Sequence, residues 1–471
     1  LKSERVFTQS QTLTGICQET LTKTFLTLNN PNPNRIAMQK TITLLFVLIL
    51  ATTLMATHQL VQAQQNIITV PDDYSTITEA IHNAQNGDTV YIKSGTYHEH
   101  TININKTITL IGESPSNTTI KNIDKTPEWD RSIYYYPPSP PYAIKVESSG
   151  VKISGLTITG TDSRYQPLGI FANHTQIENN IIKEGSEITV SSSNNTIKEN
   201  KIDNGKIRLL GSYNNFLHNN VIATSGNQGV IHVQGTYNLV FGNNLKNIYG
   251  FATGIKLFGG GEHNNIVAKN NLTGCEGIEI NGCSDTVVFG NRLLNSGSIQ
   301  LTGGYNNTFF GNHIENGYYA ISIGANEEYF DNNVFYHNNF VNNTHQISTY
   351  SSAYGRVSFD NGRVGNYWSV YNGSDGNGDG IGDTPYIIFE EDSANFHRET
   401  KDNFPLMTPF DLSTLDVELT QWTKIEVDQT KPELSSVVLI AVAASVILAA
   451  VAILVHLRKH KCHTQKTPPT Q

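Results

Sequence analysis

NNTIKENKI from Asn194, NNFLHNNVI from Asn214, NLVFGNNL from Asn238, NNIVAKNNL from Asn264, TVVFGNRL from Thr286, NNTFFGNHI from Asn306 and NNVFYHNNF from Asn332 repeat one phrase. Aligned on the Asn two places before the last apolar position, the anchors are Asn180, Asn200, Asn220, Asn243, Asn270, Asn291, Asn312 and Asn338, spaced 20 to 27 residues apart. A period of that size, with one apolar residue three before each anchor and another two after it, is the mark of a β-solenoid coil and not of a helical-hairpin repeat. Each coil carries a second short strand of apolar-x-apolar form: Ile188/Val190, Ile207/Leu209, Ile231/Val233, Ile255/Leu257, Ile278/Ile280, Ile299/Leu301 and Ile321/Ile323. Period-two alternation sends these pairs inward and the residue between them outward. Asn adopts left-handed backbone conformations and can bond the neighbouring coil's backbone, so the anchors read as structural.

Composition agrees with an all-β chain. Of 471 residues, 38 are Gly and only 15% are charged, which disfavours helix and favours turn-dense β structure. The net charge of -9, with no Lys/Arg cluster before the extreme C-terminus, provides no field for gathering phosphates, so no nucleic-acid partner is expected. Cys275 and Cys283 are separated by strand-like sequence and read as unpaired core residues.

A solenoid needs covered ends. The segment ITVPDDYSTITEAIHNAQNGDTVYIKSGTYHEHTININKTITLIGE, Ile68 to Glu113, supplies a short amphipathic helix, with Ser75 as its expected N-cap, followed by strands. This segment resembles the opening of pectin-lyase-like right-handed parallel β-helices, especially NosD-like and carbohydrate-binding/sugar-hydrolase (CASH) proteins. The resemblance runs from Ile68 to about Pro409 and implies the fold more firmly than any activity.

Three chemistries follow from the residues and the resemblance. The outward column Thr189, Arg208, His232, Lys256, Glu279, Gln300, Ser322 puts long polar side chains on consecutive coils, flanked by Gln234, Phe258 and Asn281. In pectin-lyase-like enzymes this face commonly carries the cleft, so Arg208, His232, Lys256, Glu279 and Gln300 are the expected carbohydrate-binding residues. The same column also suits the ordinary polar exterior of a solenoid. The segment GNYWSVYNGSDGNGDGIGDTPY places Asp375, Asn377, Asp379, the Ile381 carbonyl and Asp383 at alternate positions of a structural Ca²⁺ loop spanning 375–383, although Tyr386 stands where a bidentate Glu belongs. No complete lyase or hydrolase signature is present, which leaves a polysaccharide lyase or glycoside hydrolase as the alternative function. The NosD resemblance implies a role in copper delivery. Copper is disfavoured, because the coil histidines His174, His218, His232, His263, His313 and His337 occupy different repeat positions and Met407 is the only Met beyond the leader. The Pro-rich insertion Trp129 to Tyr142 offers Tyr134, Tyr135 and Tyr136 as a second set of stacking groups.

Outside the repeat, residues 38–63 read as a signal peptide: Lys40, an apolar run and a small-residue site at Ala63, with Met38 the expected start and 1–37 an upstream extension. Leu434 to Val455 is uncharged and long enough as a helix, roughly 33 Å, to cross a bilayer, followed by Arg458, Lys459 and Lys461. The expected order is therefore solenoid 64–410, stalk 411–433, transmembrane helix 434–457 and cytoplasmic tail 458–471. That makes a single-pass cell-membrane protein with its N-terminal domain outside, expected to bind carbohydrate or to serve a structural role in the envelope.

Overall fold

The computed structural model describes residues 65–124, 141–160, 165–183, 187–203, 205–223, 230–247, 252–324, 330–348, 356–392 and 397–415. The expected leader, transmembrane helix and Tyr134–Tyr136 loop lie outside them. Among the described residues no helix is long and apolar enough to cross a membrane.

Three parallel sheets of 13, 11 and 12 strands run the length of a solenoid of about 11 coils; we call them A, C and B. One coil shows the plan. The strand Glu187–Val190 lies in sheet C, a bend leads to Thr196–Lys198 in sheet A, a sharp corner leads to Lys201–Asp203 in sheet B, and a variable connection returns the chain to sheet C one coil on. The strands are short because an inward residue must be reached from three sides. Sheet C contributes two per coil, such as Ile188 and Val190, while sheets A and B contribute one each, such as Ile197 and Ile202. All the inward pairs predicted from the sequence are buried, and Ile188, Ile207, Ile231, Ile255, Ile278, Ile299 and Ile321 stand in one unbroken register. Burying each such side chain is worth about 1.5–3 kcal/mol, so the stacked columns form the principal cohesive term. Toward the C-terminal end the columns become aromatic, with Phe309 on Phe335 at 4.1 Å and Phe340 on Trp368 at 4.3 Å between ring centres.

The corner between sheets A and B requires one residue in the left-handed region, for example Asn179 at φ 53° or Gly290 at φ 64°. The residue that follows cannot pair as in a flat sheet, and its N–H is left over. A stacked Asn takes it up. Asn200 Oδ1 accepts from the Asn180 N–H at 3.0 Å, while Asn200 Nδ2 donates to the Ile177 carbonyl at 3.0 Å; the same exchange recurs coil after coil. The ladder comprises Asn180, Asn200, Asn219, Asn243, Asn270, Asn291, Asn312, Asn338 and Asn366. The expected anchor Asn220 is thus corrected to Asn219. The capping residue must directly follow the left-handed one, here His218, and Asn220 instead points outward on sheet B. A second ladder, unread in the sequence, closes the bend between sheets C and A through Asn195, Asn214, Asn238 and Asn265, each preceded by its own left-handed residue.

Both ends are closed. At the N-terminal end the helix Ile77–Asn83 buries Ile77, Ala80 and Ile81, and its N-cap is Thr76, whose hydroxyl accepts from the Glu79 N–H. Ser75, the expected cap, instead donates its hydroxyl to the Glu79 carboxylate. The buried Glu99 carboxylate takes the Ile77 N–H at 2.8 Å and the Thr78 hydroxyl at 2.7 Å. At the other end Asp402 takes the place of the next Asn: its Oδ2 accepts from Asn366 N at 2.7 Å and Trp368 Nε1 at 2.9 Å, and its Oδ1 from Phe404 N at 3.0 Å. Burial pushes the Asp402 pKa up to about 6 against the pull of these donors. Gly365 makes room, since a Cβ there would lie 1.7 Å from Asp402 Oδ1.

The corrected register has a direct test. Asn219→Ala strands the Asn200 N–H and the Ile197 carbonyl and is expected to cost about 2 kcal/mol or more in urea unfolding. Asn220→Ala, one residue away but exposed, is expected to stay within about 0.5 kcal/mol.

Candidate functional site

The outward column of sheet C is built by the same alternation that builds the core. Thr189 pairs with Arg208, Arg208 with His232, His232 with Lys256, Lys256 with Glu279, Glu279 with Gln300 and Gln300 with Ser322. At about 4.8 Å per strand, Arg208 to Gln300 covers roughly 19 Å along the solenoid axis.

The side chains form two linked groups. Lys256 Nζ lies 2.8 Å from Glu279 Oε1, which also accepts from Asn281 Nδ2 at 3.2 Å, and the Glu279 side chain is only 12% exposed. The ammonium stands 5.8 Å above the Phe258 ring, and that phenyl is 43% exposed. On the other side, Glu187 accepts from the Thr189 hydroxyl and lies 3.5 Å from Arg208 Nε, an ion-pair separation at which no hydrogen bond is made. His232 stands between the two groups, edge-on to Phe258 at 6.0 Å. Its Nε2 has no hydrogen-bond partner among the described residues. Burial lowers the His232 pKa below 6.5, with the Arg208 and Lys256 cations adding to the effect, so its ring is neutral near pH 7. Gln300 turns its amide to the Glu276 carbonyl at 3.0 Å, and Ser322 meets the Ser348 hydroxyl.

Sequence reasoning missed the other end of this face. Gly169 interrupts the column, and the rings of Tyr142 and Phe171 close over it; a Cβ at Gly169 would sit 2.6 Å from both. Lys145 lies 5.4 Å from the Phe171 ring centre and pairs with Glu147. Phe171 occupies the same outward offset as Phe258, two residues beyond the column, and that shared offset was the available signal.

The 375–383 loop is a tight turn closed on itself. Asp375 accepts from the N–H groups of Gly378, Asp379 and Gly380, Asp379 from Ile381 N, and Asp383 from Gly376 N and the Ser374 hydroxyl. Gly380 has φ 86°, as the sharp turn of such a loop demands. The donors are all oxygen, which suits a hard cation. Among the described residues, however, no three His, Cys, Asp or Glu side chains are grouped so as to hold a metal ion. Cys275 and Cys283 are buried free thiols whose pKa burial raises to about 11 and about 12, and His100 is exposed and paired with Asp124 at 2.7 Å.

Residues 142–276 match the family described as "Right handed beta helix region", and residues 249–373 match "Periplasmic copper-binding protein (NosD)". Each match spans less than a third of the chain, and both fall on the parallel β-helix described above. No curated protein matches it. Similar solved structures include a pectin methylesterase from carrot, 13% identical, with a TM-score of 0.36, 48% of this chain covered and 82% of that one. A mannuronic-acid-specific polysaccharide family 6 lyase from the human gut microbiota is 16% identical, with a TM-score of 0.38 and coverages of 64% and 87%. A family 6 lyase from Pseudopedobacter saltans is 12% identical, with a TM-score of 0.36 and coverages of 66% and 88%. These are distant similarities.

The imidazole at the centre of the column can be probed directly. In an NMR titration the His232 ring is expected to protonate below pH 6.5, and Arg208→Met, which removes the larger neighbouring cation effect, is expected to move its pKa upward.

Proposed function

We propose that this is a cell-surface carbohydrate-binding protein that lays an extended, carboxylated sugar chain along the solenoid axis on the outward face of sheet C. The observation that carries the reading is the in-register run Arg208, His232, Lys256, Glu279, Gln300 beside the exposed ring of Phe258. Aromatic rings offer apolar faces to sugar rings, the paired carboxylate and amides accept and donate to hydroxyls, and Arg208, ion-paired with Glu187 at 3.5 Å but with no hydrogen bond at Nε, supplies a cation for a carboxylate. The surface setting rests on the apparent signal at 38–63 and the apolar span 434–455.

A hydrolase reading has less support on this face. Glu187 and Glu279 lie four strands apart in sheet C, roughly 19 Å, whereas paired catalytic carboxylates stand about 5–10 Å apart. The copper in the name of the matching family is said of that family and is not carried over to this chain.

Lys256→Ala would uncover the largely buried Glu279, so the cleaner variant is Arg208→Gln with Lys256→Gln, which keeps a donor at each place. In calorimetry against a polyuronate, a sulfated glycan and a neutral glucan, the unmodified protein is expected to bind the polyuronate. The double variant is expected to bind it at least tenfold more weakly at unchanged melting temperature. Full-strength binding by the double variant would move the site elsewhere, first to the Tyr134–Tyr136 insertion.

We also propose that Ca²⁺ is the ion the 375–383 loop takes, drawing Asp375, Asn377, Asp379, the Ile381 carbonyl and Asp383 together to fix the C-terminal closure. Calcium is then expected to raise the melting temperature and Asp379→Ala to erase the rise. Equal melting in calcium and in chelator would reject it.

A further inference from the structure

The outward face of sheet A changes character along the solenoid. In the early coils it presents Lys152, Ser154, Gln176, Glu178, Thr196 and Lys198. From Leu217 onward the outward residues are apolar apart from Thr308: Leu239 and Phe241, Ile266 and Ala268, Val287 and Phe289, then Phe310, Val334 and Tyr336. Those from Leu217 to Phe310 form a cluster of their own, separate from the core, with Phe289 stacked on Phe310 at 5.0 Å, and Tyr336 extends it by stacking on Phe310 at 5.5 Å. Outward though it is, Phe289 is 2% exposed, against 43% for Phe258 on sheet C.

The chain's last described residues lead to this strip. After Asp402 the chain runs back along the A–B corner. Phe410 exchanges two hydrogen bonds with the Asn339 side chain and stacks on His337 at 4.4 Å. Leu415, within the stretch expected to begin a stalk, reaches the corner glycines next to Phe289 and Phe310. A Cβ at Gly311 would lie 2.5 Å from Leu415 Cδ1, and one at Gly290 would lie 3.5 Å from it. The sequence that follows, DVELTQWTKIEV at 416–427, alternates at its two ends: Val417, Leu419, Ile425 and Val427 share one side of an extended strand with Gln421 and Thr423, and Asp416, Glu418, Lys424 and Glu426 share the other with Thr420 and Trp422. Twelve extended residues span roughly 40 Å, and six coils of strip measure about 24 Å.

We propose that residues 416–427 are a strap that docks its apolar side on the outer face of sheet A between Leu217 and Tyr336. The segment between solenoid and membrane span is then bound along the solenoid's flank instead of forming a free stalk.

Hydrogen–deuterium exchange on the full chain in detergent tests this. Amides 417–427 are expected to exchange at least tenfold more slowly than an unstructured peptide of the same sequence. Phe241→Ser with Phe289→Ser is expected to release them while the amides of Asn243, Asn270 and Asn291 stay protected. Because those substitutions could loosen the coils, the reciprocal pair Leu419→Asp and Ile425→Asp is measured as well. It leaves the solenoid untouched and is expected to expose the strip to a hydrophobic dye. Unprotected exchange of 417–427 in the unmodified chain overturns the proposal. So does a dimer by light scattering that Phe289→Ser converts to monomer, since a second copy would then cover the strip.

Discussion

Every coil must turn its backbone through a sharp corner, and each corner orphans an N–H that a flat parallel sheet would have paired. The stacked asparagines answer that constraint. One amide group takes the N–H of the coil before it and gives its own N–H to a carbonyl there, so each coil is bonded to its neighbour through side chains as well as strands. Asn serves because it is short and carries both a donor and an acceptor. Gln would overreach, and Asp lacks the donor. Where the ladder stops, Asp402 is suitable because all the groups that reach it are N–H donors and no further carbonyl has to be served.

Fixing the corner fixes the register, and register decides what the surface can do. A slip of one residue would exchange inward and outward side chains throughout a strand. With the register held, three faces acquire three chemistries. Sheet C presents charged and aromatic side chains, the later part of sheet A presents an apolar strip, and sheet B presents residues such as Lys201, Asn220, Asn244 and Lys246. The carbohydrate reading uses the first and the strap uses the second. They share no residue and can fail independently.

Much of this was legible in the sequence because period-two alternation and a recurrent Asn are local signals. The seven inward pairs and the full outward column from Thr189 to Ser322 were placed correctly. The misplacement of Asn220 shows the limit. In HNN the choice between neighbouring asparagines depends on which residue takes the left-handed conformation, and His218 does so because the coil geometry requires it. Thr76 rather than Ser75 caps the helix for a similar reason, since Glu79 N lies within reach of the Thr76 hydroxyl. The Tyr142–Phe171 closure over Gly169 and the seating of Asp402 on Asn366 and Trp368 join residues 29 to 36 apart by packing, which no short motif encodes. The apolar outside of sheet A was in the text as Leu-Val-Phe and Val-Val-Phe, but the run hides which members face out until the register is known.

A crystal structure of the solenoid with an acidic oligosaccharide bound most directly tests whether register builds a ligand-binding face. The account predicts sugar rings running parallel to the axis on sheet C, with a carboxylate against Arg208 or Lys256 and a ring face on Phe258. Sugar bound only on sheet B, on Tyr213 and Tyr237 of the bend between sheets C and A, which stack at 4.8 Å between ring centres, or on the Tyr134–Tyr136 insertion would contradict it.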